Sequence, residues 1–214
     1  MTSTDMLART RTLLEESTAA FWTDAEIYAA LADGQNAVIN VLLGVYKGKS
    51  QINNQTELPY ELTTLLENAA AAMASSSLNI PTGFLWLVSA QWSYNGTVTA
   101  KPCIIVNDDR TFVFLEDNTY LGATASNPKA YIAPVSSVMK INFLPAYATS
   151  GTYGIRYLKT PTAIASGQNP TLPVSTHSAI VFYATAQMLY KDEKFQEAQM
   201  MLNDYSKELQ NLIR

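Results

Sequence analysis

The sequence contains one cysteine and one histidine, and this scarcity restricts its chemistry. Cys103 has no second cysteine to pair with, so no internal disulfide is expected and the chain is expected to be made in a reducing cytoplasm. One histidine and one cysteine far apart do not supply the three or four ligands of a zinc site. The acidic pairs Asp108-Asp109 and Glu116-Asp117 lack the spacing and central glycine of a calcium loop. No metal ion and no cofactor is therefore expected.

Charged residues are scarce as well. They make up 15% of the 214 residues, against about 25% in an ordinary soluble domain, whereas apolar residues make up 48%. No stretch has the roughly 18 consecutive apolar residues that a membrane span requires. The segment from Met1 to Glu16 has no basic start followed by an apolar core, so a signal peptide is not expected. Few charges without a membrane segment indicate a surface covered by other protein, and neighbouring subunits are the simplest cover.

Clusters of lysine and arginine are also missing. The net charge of −4 is distributed as −5 over residues 1–77, +2 over residues 78–172 and −1 over residues 173–214. No basic group is large enough to neutralise several phosphates, so tight binding to nucleic acid is not expected. A mildly acidic surface would instead let DNA pass without sticking.

A long helix is predicted after a capping box in which Thr23 is the N-cap and Glu26 reaches back to it. Gly34 in mid-helix costs about 1 kcal/mol relative to alanine, which predicts that another backbone packs closely there. The helix is expected to end near Gly44 or Gly48. Its apolar stripe has the three-four spacing of a core-facing helix and consists of Ile27, Leu31, Gly34, Val38, Val41 and Val45.

Two shorter helices are predicted on either side of it. The first runs from about Thr4 to Glu16, and the other follows Leu58-Pro59. The inward residues of the first are Leu7, Leu13 and Leu14. Those of the other are Leu62, Leu65, Leu66, Ala69 and Met73.

The composition changes near Ser75. From Ile80 to Ile164 the chain is rich in β-branched and aromatic residues and is interrupted by turn residues. Hairpin turns are predicted at Asn95-Gly96 and Asn107-Asp108-Asp109. The short connections predict an antiparallel sheet or a small sandwich. The candidate strands are Phe84–Tyr94, Val98–Val106, Thr111–Leu115, Ala130–Ile132, Val138–Phe143 and Tyr153–Leu158.

Helix returns after Pro173, which suits a first helical turn, and Asp192 is predicted as the N-cap of the last helix. The predicted fold class is therefore α+β. Residues 1–77 and 166–214 form a helical bundle, and residues 78–165 form an inserted antiparallel β-rich subdomain. The penultimate helix is lined by Ile180, Ala184, Gln187 and Met188, and the last helix by Phe195, Ala198, Leu202, Tyr205, Leu209 and Leu212.

No catalytic centre is predicted. His177 lies in the first turn of the penultimate helix, and the pattern nominates neither a nucleophile nor an orienting carboxylate for it. We interpret it as a histidine that bonds a neighbouring backbone group or an adjacent subunit. A hydrolase or other enzyme would require a cleft that gathers His177 with a carboxylate such as Asp192 or Glu193. The glycines at Gly151 and Gly154 precede a strand rather than a helix, so no phosphate loop is predicted.

Two stretches, one at each helical end, carry a recognisable pattern. The first consists of Arg11-Thr12-Leu13-Leu14, Phe21-Trp22-Thr23-Asp24-Ala25-Glu26-Ile27 and Gly34-Gln35. The second consists of Tyr157-Leu158-Lys159-Thr160-Pro161, Leu172-Pro173, His177, Ala179-Ile180-Val181, Tyr183-Ala184, Lys191-Asp192 and Ala198-Gln199. In this order, with a β-rich segment between them, they resemble the head–tail connector (adaptor) proteins of tailed bacteriophages. The resemblance covers about half of the chain.

The resemblance implies a structural virion protein that forms a twelve-membered ring beneath the portal, joins the portal to the tail and surrounds the DNA channel. Its partners would be sister copies, the portal protein and a downstream tail or neck protein, with genomic DNA passing through the lumen without sequence-specific binding. It would be assembled in the host cytoplasm and reside in the virion neck. The helices starting at Thr23, Pro173 and Asp192 match the ring wall, and the segment Tyr205 to Arg214 would reach the portal. The contacts expected with the portal or with other subunits are Tyr205, Leu209, Leu212, Arg214 and His177.

The residues leave an alternative open, a tail-associated binding module whose β-rich insertion recognises a receptor or carbohydrate. Its exposed platform would consist of Trp86, Trp92, Tyr94 and Tyr120. Aromatic residues without basic residues between them are more often the core of a sheet. Burial of these side chains would dismiss the platform.

Overall fold

The computed structural model describes residues 1–16, 21–52, 58–73, 75–93, 99–106, 122–146 and 151–213, without the side chains of residues 49–52 and 73. The chain divides into two units. Met1–Leu65 and Pro161–Arg214 form a helical unit, and Leu66–Thr160 form a β unit. The α+β class, with helices from both chain ends and an inserted β-rich segment, is confirmed. The boundaries of the inserted unit, however, differ from the predicted limits of 78 and 165.

The helical unit is built around one central helix. Helix α3 packs against α1, α2 and α4, and its small residues Ala179, Ala184 and Ala186 are buried. Small side chains let neighbouring helices approach it from several directions. The elements are α1 (Ser3–Leu13), α2 (Asp24–Ile52), a 3₁₀ helix (Tyr60–Leu65), a second 3₁₀ helix (Val174–Thr176), α3 (His177–Lys191) and α4 (Phe195–Ile213).

Helix α2 begins as predicted and ends later than predicted. The capping box is present: the Thr23 N–H donates to Glu26 Oε2 at 2.9 Å, and the Glu26 N–H donates to Thr23 Oγ1 at 3.3 Å. The helix continues past Gly44 and Gly48, because burial of Leu42, Leu43 and Tyr46 outweighs the helix-propensity cost of the two glycines. The predicted stripe is buried at Ile27, Leu31 and Val38 but exposed at Val41.

The other helix ends also shift. Helix α1 starts at Ser3 with a capping box between Thr2 and Asp5, and it buries Met6 and Leu14 while Leu7 and Leu13 are half-buried. Pro173 caps the 3₁₀ helix that leads into α3. Asp192 is the C-cap of α3 rather than the predicted N-cap of α4, because α4 starts three residues later at Phe195.

The close approach predicted at Gly34 is confirmed. A Cβ built on Gly34 lies 2.7 Å from the main-chain oxygen of Ile180 in α3. Because that oxygen belongs to a helix backbone, it has little freedom to move aside. Gly34 therefore sets the distance between α2 and α3.

Replacing Gly34 with alanine is expected to lower the free energy of unfolding by about 1–3 kcal/mol, because overpacking outweighs the gain in helix propensity. Gly44→Ala is the matched control in the same helix, since nothing lies within 4 Å of its added Cβ. The free energy of unfolding of this control is expected to rise by about 0.5–1 kcal/mol. Urea denaturation measures both, and equal stabilisation of the two variants would contradict the close approach.

The β unit is a small sandwich of two four-stranded sheets with the orders β1-β8-β3-β4 and β2-β7-β6-β5. The two sheets share one core, in which Leu87 and Trp92 of one sheet pack with Ile141 and Phe143 of the other. All described pairs are antiparallel except β5 with β6, which is parallel. The strands are β1 (Leu66–Met73), β2 (Ser77–Asn79), β3 (Phe84–Ser93), β4 (Lys101–Pro102), β5 (Ile104–Val106), β6 (Lys129–Val135), β7 (Val138–Leu144) and β8 (Gly151–Lys159).

The predicted third helix is wrong over its second half. Residues Tyr60–Leu65 form a 3₁₀ helix, but Leu66–Met73 form β1, which pairs with β8 along its whole length. The alanine run gives these residues a helical spacing in the sequence, yet pairing with β8 and packing of Ala69 on the core override that local preference. The predicted strand Thr111–Leu115, the turns at Asn95-Gly96 and Asn107-Asp108-Asp109, and the acidic pairs lie outside the described residues.

Candidate functional site

The N-terminal and C-terminal parts of the helical unit contact each other at Gln35, whose side chain is buried in α2. Its Nε2 donates to the main-chain oxygen of Thr162 at 2.9 Å, and its Oε1 accepts the N–H of Thr171 at 2.9 Å. The side-chain nitrogen and oxygen of Gln35 each form a hydrogen bond with one loop more than 120 residues away in the sequence. The loop that precedes α3 is thus fixed to α2.

Helix α1 closes the same junction. The Ser3 N–H donates to Asn169 Oδ1 at 2.8 Å, and Arg9 Nη1 donates to Ser178 Oγ at 3.1 Å. The Arg9 guanidinium also lies 5.4 Å from the centre of the Phe182 ring. Residues from three segments therefore hold the start of α3 in place.

His177 lies inside this junction and is 4% exposed. Its Nε2 is 3.0 Å from the main-chain oxygen of Leu172, and its Nδ1 is 3.1 Å from the Met1 amino group. A neutral imidazole with its proton on Nε2 satisfies both contacts. The predicted bond to a neighbouring backbone group is confirmed. Asp192 follows the far end of the 15-residue α3, roughly 22 Å away at 1.5 Å per residue, so the structure does not gather it with His177.

Burial lowers the pKa of His177 below its ordinary value of 6.5 and outweighs the opposing effect of the hydrogen bond to Leu172. The unfolded chain then binds this proton more readily than the folded chain. The stabilisation by His177 is therefore present above pH 6.5 and lost as the pH falls through the folded pKa. His177→Gln, which keeps a donor and an acceptor but does not titrate, is expected to show a smaller loss of unfolding free energy between pH 7.5 and 5.5. Identical pH profiles for the two proteins would refute this.

The structure places the remaining predicted contact residues mostly inside the helical unit. Tyr205 and Leu209 are buried, and the Tyr205 ring meets the Tyr183 ring edge-on at 5.3 Å. Burial raises the pKa of Tyr205 to about 12. Leu212 is half-buried, and Arg214 lies outside the described residues. Tyr205, Leu209 and His177 thus contribute to the fold of their own chain.

Besides Tyr60 in the first 3₁₀ helix, exposed aromatic residues occur at the two helix joints. Phe21, between α1 and α2, is 67% exposed and meets Trp22 edge-on at 4.9 Å. Phe195, the first residue of α4, is 60% exposed, and its ring centre lies 6.0 Å from that of Tyr190 near the end of α3. We call these four residues the aromatic joint. Sequence reasoning missed it, because Phe195 has the spacing of the buried stripe and Trp22 the position of a hydrophobic staple.

A buried ion pair supports the first joint. Arg11 Nη1 lies 3.2 Å from Glu16 Oε2, and Arg11 Nη2 donates to the main-chain oxygen of Trp22 at 3.0 Å and to Asp24 Oδ1 at 2.5 Å. The side chains of Arg11 and Glu16 are 9% and 12% exposed. Movement of either side chain out of this pair would leave an uncompensated buried charge, which is strongly destabilising. The aromatic residues at 21 and 22 are therefore held by the fold.

The platform of the alternative binding module loses one of its four residues. Trp92 is 1% exposed, stacks on Phe143 at 4.9 Å, and donates its Nε1–H to the main-chain oxygen of Pro145 at 2.9 Å. Trp86 is half-buried, and Tyr94 and Tyr120 lie outside the described residues. Trp92 belongs to the core of the sandwich.

Among the described residues, no three histidine, cysteine, aspartate or glutamate side chains lie close enough together to hold a metal ion. Cys103 is half-buried, and burial raises its pKa to about 12, which keeps it a thiol at neutral pH. Within the described ranges no helix is long and apolar enough to cross a membrane.

Comparison with known proteins adds no relative. No protein-family model matches the sequence, and no curated protein matches it in a sequence search.

Proposed function

We propose that this protein is a structural subunit of a tailed-phage virion, a head–tail adaptor that assembles into a ring between the portal and the tail. Genomic DNA would pass through the lumen of this ring without sequence-specific binding. The wall of the ring would be the helical unit, and the β unit would contact a downstream tail or neck protein. Twelve copies are expected from the resemblance.

The observation that carries the proposal is the junction of the two resembling stretches. Gly34 and Gln35 end the first stretch, and their partners Ile180, Thr171 and Thr162 lie within or directly beside the second. Two segments recognised separately in the sequence therefore act as one structural element. This is the arrangement expected if the pattern specifies a helical wall rather than two unrelated motifs.

The surface composition also favours assembly. Charged residues make up only 15% of the chain, and large apolar side chains are exposed on the helical unit. Exposed apolar groups near one another mark contact surfaces in soluble proteins. Two different contact surfaces on each copy would close into a ring if the rotation between copies allows it.

The proposal is tested with the purified protein, alone and mixed with the portal protein of the same phage. Native mass spectrometry gives the copy number, and electron microscopy gives the shape. A closed ring bound coaxially to the portal is expected. Gln35→Glu serves as an internal control. Its carboxylate does not donate a hydrogen bond to the main-chain oxygen of Thr162, so the variant should weaken the packing of the helical unit that forms the wall. A compact monomer that never joins the portal would refute the proposal.

A further inference from the structure

The two halves of the aromatic joint lie at the same end of the helical unit. Gly34 of α2 contacts Ile180 of α3. The hydrogen bonds with Thr23 are the main cause of the lowered pKa of Glu26, and the ammonium of Lys191, which lies near this carboxylate, lowers that pKa further. Helices α2 and α3 are therefore antiparallel, and the start of α2 adjoins the end of α3. Glu15 likewise adds to the raised pKa of Lys194, which is due mainly to Asp192.

Both joints are the same structural motif. At the end of α1 the Glu16 N–H donates to the Arg11 oxygen at 2.9 Å and the Glu15 N–H to the Thr12 oxygen at 3.2 Å. At the end of α3 the Lys194 N–H donates to the Leu189 oxygen at 3.0 Å and the Glu193 N–H to the Tyr190 oxygen at 3.2 Å. This is the hydrogen-bond pattern of a Schellman cap.

Each cap has a glutamate where a glycine is preferred. Glu15 and Glu193 adopt φ values of 57° and 59°, in the left-handed region that non-glycine residues enter only at a cost. Folding alone would favour glycine at both positions. The same unfavourable choice at two joints of one surface indicates that the carboxylates are used there.

The aromatic joint is acidic and held rigidly. Counting the two joint segments, residues 11–26 and 190–195, gives six carboxylates against three basic groups. Glu16 Oε1 accepts the N–H of Phe21 at 2.5 Å and that of Trp22 at 3.0 Å, which fixes the backbone behind the exposed Phe21 ring and the half-buried Trp22 ring. A preordered aromatic surface loses little entropy on binding. Its partner should be apolar and basic.

The β6–β7 hairpin of the same chain has this chemistry. Its turn residues Ser136 and Ser137 have φ values of 51° and 68°, and the next two residues, Val138 and Met139, are 53% and 49% exposed. Residues 122–146 include two lysines and no acidic residue, and one of the lysines, Lys140, follows Met139 directly. We call Val138 and Met139 the hairpin tip.

We propose that the hairpin tip of one copy docks on the aromatic joint of the next copy, with Lys140 facing the carboxylates of Glu15 and Glu193. This assignment rests on the proposed ring and names the contact between its subunits. The two surfaces differ, so each copy has one of each and the contact is heterologous, which is what a ring requires. The opposite charges and the exposed apolar side chains of the two surfaces favour a second copy as the occupant of the tip.

The test uses two surface variants and two matched controls. Phe195→Asp blocks the joint, and an aspartate suits the first turn of α4. Val138→Asp with Met139→Asp blocks the tip. Met200→Asp and Ile104→Asp are the controls, because both residues are exposed and apolar but lie outside the two surfaces. Sedimentation velocity and native mass spectrometry measure self-association.

In each blocked variant the dissociation constant for self-association is expected to rise by at least about 30-fold, while both controls assemble like the wild type. A mixture of the two blocked variants should form a 1:1 complex and nothing larger, since one intact tip meets one intact joint. Replacing both Glu15 and Glu193 with glycine should raise the midpoint of urea unfolding yet weaken assembly. A purely structural role for these glutamates would leave assembly unchanged.

Several outcomes would overturn the assignment. Blocked variants that still form rings would disprove this contact while leaving the ring itself standing. A wild-type chain that is monomeric alone at all concentrations would also disprove it, and binding to the portal would then still decide the proposed function. A tip variant that assembles normally but no longer binds the portal would show that the portal is the partner of the tip. A tip variant that assembles normally but no longer binds vesicles of anionic lipid would show that a lipid surface is its partner.

Discussion

Trp92→Ala is expected to lower the free energy of unfolding of the β unit by about 3–5 kcal/mol. The indole is buried between the sheets, stacks on Phe143 and donates a hydrogen bond to Pro145. Alanine removes the apolar contacts and leaves a cavity and an unpaired main-chain oxygen. Urea denaturation followed by circular dichroism measures the loss, and a change below about 1 kcal/mol would be incompatible with a shared core.

Gly151 provides the control for this prediction. A Cβ on Gly151 would overlap the six-membered ring of Trp92, so Gly151→Ala alone should destabilise the unit by about 1–3 kcal/mol. In the Trp92→Ala background the added methyl group enters the cavity instead. The double variant should therefore be more stable than the sum of the two single effects predicts. Additive losses would show that the two residues do not touch.

Arg11→Met is expected to lower the free energy of unfolding by about 3–5 kcal/mol, because it leaves the buried Glu16 carboxylate without its cation. Methionine keeps the length and apolar character of the stem, so the loss reports the charge and its hydrogen bonds. Asp24 contributes less, since its side chain is 58% exposed and a solvated carboxylate needs no partner. Chemical denaturation gives the value.

Two further variants test whether the unpaired charge causes the stability loss of Arg11→Met. Lys207→Met removes an exposed ion pair with Asp204 and should change stability by less than about 0.5 kcal/mol. Glu16→Gln combined with Arg11→Met should recover part of the loss, because a neutral amide oxygen still accepts the N–H groups of Phe21 and Trp22. If the double variant is as unstable as Arg11→Met, the unpaired charge is not the reason.

Local signals in the sequence predicted the parts of the fold that local chemistry decides. The capping box at Thr23 and Glu26 and the close approach at Gly34 each follow from one or two residues, and both are present. Strand β3 was predicted to within one residue because its β-branched and aromatic residues are bounded by turns. The α+β class followed from these elements.

The errors arise where distant residues decide the structure. Leu66–Met73 has a helical spacing, but it pairs with β8, whose residues Gly151–Lys159 lie far away in the sequence. The long α2 was cut short because the burial that offsets Gly44 is invisible in the sequence. The aromatic joint was missed for a similar reason: an apolar residue at a helix end has the same pattern whether it faces the core or the solvent.

The measurement that tests the central claim most directly is the copy number of the purified protein bound to its portal, determined by native mass spectrometry and imaged by electron microscopy. We predict a closed ring of identical subunits, twelve by resemblance, in which the helical units form the wall. A single chain that remains monomeric and does not bind the portal would contradict it.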